Sequence, residues 1–160
     1  MHPSRCLPLA VCAALLLSAP VTLHAQLRTT RVVALEGAQR AVSAALAEAN
    51  RQGWQVSIAV VDAAGELVGF ARMDGAPAAS VDISRAKART AARLRRSTRT
   101  LDSTLTAGRL AILGLEGITP VEGGVPIVVN GEIIGAIGVS GAPSAQDAQV
   151  ASVGAATVKP

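Results

Sequence analysis

The hydrophobic pattern of this chain switches period several times, and each switch marks an element. From residue 30 to 52 the apolar positions Leu35, Ala38, Val42, Ala45, Leu46 and Ala49 recur at three- and four-residue spacing. That is one face of a helix, with Thr29 or Thr30 to cap its start and Gly53 to stop it. Val56 to Val61 then reads as a strand, Asp62-Ala63-Ala64-Gly65 as a turn, and residues 66–72 as a second strand, forming a hairpin. After the loop Met73-Asp74-Gly75-Ala76-Pro77, a second helix is expected over 80–97 and a short helical turn over 100–105. Residues 107–122 carry no clear period. Two β-rich runs, 125–129 and 132–140, are joined by Asn130-Gly131, the strongest short hairpin signal. Ser144 with Asp147 three residues on resembles a capping box, opening a last helix to about residue 156.

The run Ile133 to Val139 is apolar or small on both faces, so it is expected to be covered on both sides. The reading has helices on one side and a second subunit or a folded-over segment on the other. Gly135 and Gly138 fit close backbone approach, to a packed neighbour or to a ligand. The order helix, hairpin, helix, hairpin, helix predicts an α+β fold: a mainly antiparallel sheet with packed helices, in a single domain.

The N-terminus changes the chemical inventory. Arg5, the apolar run Leu7 to Leu17, Pro20 and Ala25 have the layout of a secretory signal peptide covering 1–25, which leaves a domain of 26–160. The expectation is export, to the periplasm or the medium. Both cysteines (Cys6, Cys12) and both histidines (His2, His24) lie in the segment that would be removed. What remains offers no Cys/His zinc site, no Ser-His-Asp triad and no thiol nucleophile. Removal of Arg5 leaves 14 cations against 11 anions, or +3, too mild to imply nucleic acid. Trp54 and Phe70 are the only aromatics, which also argues against base stacking. No later apolar stretch is long enough for a membrane helix, so no membrane association is expected once the leader is gone. No HExxH, GxSxG or P-loop pattern occurs, and the scattered carboxylates do not argue for an enzyme of a common class.

On the second helix, Ile83, Thr90, Ala91 and Leu94 gather on one side, with Arg85, Arg89, Arg93, Arg96 and Arg99 opposite. The arginines read as a solvated face or as an interface to an acidic surface on another subunit. Lys87 falls between Leu94 and Ala91, on the side meant for the core. A lysine there snorkels out, pairs with a carboxylate such as Asp62 or Asp74, or lines a pocket that meets an anionic ligand. Arg72-Met73-Asp74-Gly75 combines a cation, a thioether and a carboxylate at a strand end. Met73 is either a weak candidate for a haem iron or a packing residue. Gly123-Gly124 is either an ordinary loop or a cradle of backbone N–H groups for an anion.

Taken in order, Val56-Ser-Ile-Ala-Val-Val-Asp62, Gly65, Phe70-Ala-Arg-Met-Asp-Gly-Ala76, Ser80, Ala86-Lys-Ala88, Thr90-Ala91, Gly123-Gly-Val-Pro-Ile127, Gly135-Ala-Ile-Gly-Val-Ser-Gly-Ala142 and Gln146-Asp147 resemble the GlcG/HbpS family. The resemblance covers nearly all of 26–160. It implies a profilin-like domain, self-association into oligomers, and an association with haem. Under it, Lys87 or Arg72 would pair a haem propionate. Iron would fall to Met73, Lys87, a hydroxyl such as Thr119, or no protein ligand. The expectation is an exported haem-binding module, a carrier or sensor component without clear catalytic residues. The alternative is an oligomeric domain binding a small organic anion in support of an exported enzyme system, with Lys87 and the Gly123-Gly124 loop as its site.

Overall fold

In the computed structural model, which describes residues 29–160, every strand is antiparallel to its neighbour and the sheet order is β2-β1-β4-β3. The proposed leader lies outside the described residues. The elements run α1 (Leu35–Gln52), β1 (Ser57–Asp62), β2 (Leu67–Arg72), α2 (Ser80–Leu94), α3 (Thr98–Thr106), a 3₁₀ turn (Leu110–Gly114), β3 (Gly124–Val129), β4 (Glu132–Ser140) and α4 (Ser144–Ala155). This is the expected α+β, profilin-like arrangement.

The hairpins form for the local reasons read from the sequence. Asp62 Oδ1 accepts the N–H groups of Ala64 and Glu66 at 2.9 Å each, closing the β1–β2 turn around Gly65 at φ 90°. Asn130 and Gly131 both hold positive φ, 51° and 77°, as a two-residue turn between β3 and β4 requires.

Alternation along β1 and β4 divides the core between two faces. Ile58, Val60, Ile137 and Val139 pack with Ile127, Ala41, Ala45 and Val150 under α1 and α4. Ala59, Val61 and Ala136 meet Ala88, Ala91 and Ala92 of α2 on the other face. That second layer is made of small side chains, and two glycines opposite one another, Gly124 and Gly138, sit beneath the helix. A Cβ at Gly138 would collide with Ser84 O and lie 2.5 Å from Ala88 N. So α2 runs almost in contact with the sheet backbone.

Several sequence expectations need correction. The covering of β4 comes from this chain's own helices on both faces, with Val33 folded over Gly135, and not from helices on one side only. The first helix begins at Leu35, because Val33 N donates to Ile134 O and holds the preceding segment against β4. Neither Thr29 nor Thr30 caps it; its N-cap is Ala34. Arg95, with φ 53°, ends α2 three residues before 97. Ile83 is exposed and Leu94 half-buried. The buried stripe of α2 runs instead through Ser80, Ser84, Lys87, Ala88 and Ala91 because the close approach admits only small groups there.

Candidate functional site

The residues that sequence reading singled out go to three separate places. Lys87 sits at the end of the sheet where α2 passes β4. Its Nζ donates to Asp147 Oδ2 at 2.9 Å and to Val139 O at 3.1 Å. Both side chains are 2% exposed. The partner is therefore neither Asp62, whose carboxylate closes its own hairpin turn, nor Asp74, which is exposed at a cleft edge. Asp147 Oδ1 also accepts Ala142 N at 3.0 Å, so the carboxylate does reach back over the start of α4. Ser144 provides no matching cap, and the N-cap is Pro143. Burial pushes the Asp147 carboxyl above its ordinary value, against the opposing pull of the Lys87 ammonium.

Gly123 and Gly124 belong to the same corner. A Cβ at Gly123 would lie 2.8 Å from Lys87 Nζ and 3.0 Å from Asp147 Cβ, and its φ is 127°. Glycine is needed there to leave room for the ion pair. Gly124 N donates to Thr98 Oγ1 at 2.9 Å. Both glycines are buried, so an anion in this corner would have to displace Asp147.

Arg72 and Met73 lie at a shallow polar cleft of about 300 Å³ with Asn50, Gln55 and Asp74. Arg72 donates to Ala76 O at 2.9 Å, and Met73 packs against the core. Thr119 is elsewhere. Its N–H donates to the buried Thr90 Oγ1 at 2.9 Å, which pins the loop 117–119 over α2.

That loop forms one wall of a cleft of about 440 Å³ between α2 and the β1–β2 turn. Arg85, Arg89 and Arg93 rim it, one helical turn apart, and Val61, Leu67 and Ile118 give it apolar walls. Arg89 Nε donates to Gly65 O at 3.2 Å and Arg93 Nε to Ala64 O at 3.1 Å. The turn's main chain thus orients both guanidinium groups. Their remaining partner is Glu66, at 3.5 Å from Arg89 and 3.6 Å from Arg93, with its side chain 63% exposed. Arg85 stands 3.9 Å from an exposed Asp82. Part of the arginine run is thus neither simply solvated nor waiting for another subunit: it is docked on its own hairpin. Sequence reading grouped these arginines on one face but missed the cleft, because its other walls come from residues 61–67 and 117–119. Among the described residues no group of His, Cys, Asp and Glu could hold a metal ion.

The described residues also contain no helix long and apolar enough to cross a membrane. Residues 33–156 match the family model for "Haem degrading protein HbpS-like". Protein GlcG of Escherichia coli is 43% identical over 114 residues, which cover 71% of this chain and 85% of GlcG. A solved HbpS double mutant from Streptomyces reticuli is 31% identical with a TM-score of 0.76, over 97% of this chain and 99% of that one. A solved PduOC–haem complex shares the fold at 24% identity and a TM-score of 0.72, over 79% of this chain and 95% of that one.

Proposed function

This chain belongs to the HbpS-like family, and from that premise we propose that it is an exported haem-binding module, a carrier or sensor component. The observation that carries the reading is the arginine-rimmed cleft. Apolar walls below a row of guanidinium groups suit a flat amphipathic dianion, and haem, with an apolar ring and two propionates, is one. Guanidinium groups bind carboxylates in a planar two-point geometry, and two of these, Arg89 and Arg93, are already held in place by the turn. A cleft of this volume falls within the range of small-molecule sites. The family description and the haem held by the same fold in the PduOC complex support the same ligand class.

The donor set fits one part of haem and not another. Haem iron is commonly held by His, Cys, Met or Tyr. Residues 26–160 contain no His, Cys or Tyr, and their one methionine, Met73, lies at the other cleft. The arginine cleft fits the propionates and the ring. It does not fit iron ligation by those donors. The leader-like pattern of residues 1–25 supports export, and self-association draws support from Leu110, Leu113 and Leu115, which are 66%, 61% and 50% exposed.

The test is a hemin titration of the purified protein. A saturable change in the Soret band, weakened by Arg89→Ala, is the expected result. A spectrum of free or aggregated hemin at every ratio would end the haem reading.

A further inference from the structure

The chemistry of the same cleft bears on which part of the ligand is recognised. We infer that the site selects a porphyrin by its carboxylates and ring face and is indifferent to the metal, so that metal-free protoporphyrin binds about as well as haem. The inference rests on the haem reading and sharpens it. A pocket that ligates iron discriminates between metals, because each metal has its own preferred donors and geometry. A pocket of guanidinium groups and aliphatic walls, whose only other side-chain donors are the oxygens of Glu66, Asp82 and Thr119, lacks the imidazole, thiolate, thioether and phenolate groups that select haem iron.

The geometry supports exchange of one carboxylate for another. Arg89 and Arg93 each spend Nε on a turn carbonyl and meet Glu66 only at 3.5 and 3.6 Å, beyond the range of a strong charge-assisted hydrogen bond. Glu66 is mostly exposed, so it can swing into water without a burial cost. An incoming propionate then takes its place on nitrogens that are already aimed. Gly65 lies buried beneath the two arginines, and a Cβ there would stand 3.0 Å from Arg89 Cγ and 3.2 Å from Arg93 Nε. Gly117, opposite, has open space within 4 Å of its own Cβ position, so that side admits bulk. The oxygen and nitrogen groups rimming this cleft belong to Arg, Asp82, Glu66, Thr119 and main chain. None is a usual haem-iron ligand.

The experiment compares ligands on the unmodified protein, which avoids variants that could loosen the hairpin. Hemin, metal-free protoporphyrin IX and zinc protoporphyrin are titrated by absorbance and fluorescence, together with protoporphyrin dimethyl ester. The three diacids are expected to bind within about threefold of one another, and the ester at least about tenfold more weakly, the effect of losing one or two charged hydrogen bonds. If hemin binds and metal-free protoporphyrin does not, the metal is recognised; the inference fails and the haem reading stands. An ester as tight as the free acid overturns the carboxylate recognition. If none of the four binds, the haem reading falls with it.

Discussion

Lys87 of α2 and Asp147 of α4 meet at 2.9 Å although their helices lie on opposite faces of the sheet. The pair closes around the end of β4, taking in the Val139 carbonyl, and so ties the two helical layers together. Its burial makes it a constraint as much as a bond. Two charges taken out of water are tolerable together, and either alone is not.

Lys87→Met should therefore destabilise the domain by about 3–5 kcal/mol, the usual cost of leaving a buried charge unpaired. Lys87→Met with Asp147→Leu should recover much of that loss, because an apolar pair replaces an ionic one. Chemical denaturation of the three proteins decides it. Equal loss in single and double variants would mean that the corner depends on the charges themselves.

The two perturbed carboxylates predict opposite pH trends. Burial raises the folded Asp147 value above 3.8, so only at pH between 3.8 and that folded value does the folded state hold a proton that the unfolded chain has released; above it the carboxylate is ionised and paired with Lys87. Its contribution is complete below 3.8 and is lost as pH rises through the folded value. Glu48 is lowered from 4.5 by its hydrogen bonds to Arg51, Gln149 and Gln52. Its contribution is present above 4.5 and is lost as pH falls through the folded value. Wild type should gain on Asp147→Asn as the pH is lowered toward 3.8, and lose its advantage over Glu48→Gln as the pH falls below 4.5 through the folded Glu48 value. Parallel pH–stability curves for wild type and both variants would contradict the assignment.

The sequence made the strands, their turns and the antiparallel class legible because those depend on local alternation and on Asn130-Gly131 and Asp62–Gly65. It also flagged Lys87 as misplaced on a core-facing stripe. It missed Asp147 as the partner because 60 residues separate the two, and a capping role near Ser144 already accounted for the carboxylate. The arginine cleft was illegible for a similar reason. Periodicity groups Arg85, Arg89 and Arg93, but only the tertiary fold brings the Ala64 and Gly65 carbonyls beneath them.

Gly138 offers a check on how α2 lies. Its alanine variant would force a methyl group against Ser84 O and Ala88 N, both main-chain atoms that cannot rotate away. Gly138→Ala should cost about 1–3 kcal/mol or more, as overpacking does. Gly114→Ala, with nothing within 4 Å of the new methyl and no positive φ, should be neutral or gain up to about 1 kcal/mol from the unfolded state. Thermal or urea unfolding of both variants gives the comparison. A harmless Gly138→Ala would mean that the helix stands farther from the sheet than these contacts require.

Gly65 and Gly108 separate backbone strain from arginine positioning. Their φ angles are nearly equal, 90° and 91°, so alanine at either position meets the same left-handed penalty, about 1–2 kcal/mol. Their surroundings differ. At Gly108 the methyl group would enter open space, whereas at Gly65 it would press on the Arg89 and Arg93 side chains. Both variants should lose similar stability on strain grounds. Only Gly65→Ala should also weaken hemin binding, by about tenfold if one guanidinium–carboxylate contact is lost. Titration of both at a temperature where each is fully folded isolates the second effect. If Gly108→Ala weakens hemin to the same degree, the loss reflects general destabilisation, and the arginines over the turn are not what holds the ligand.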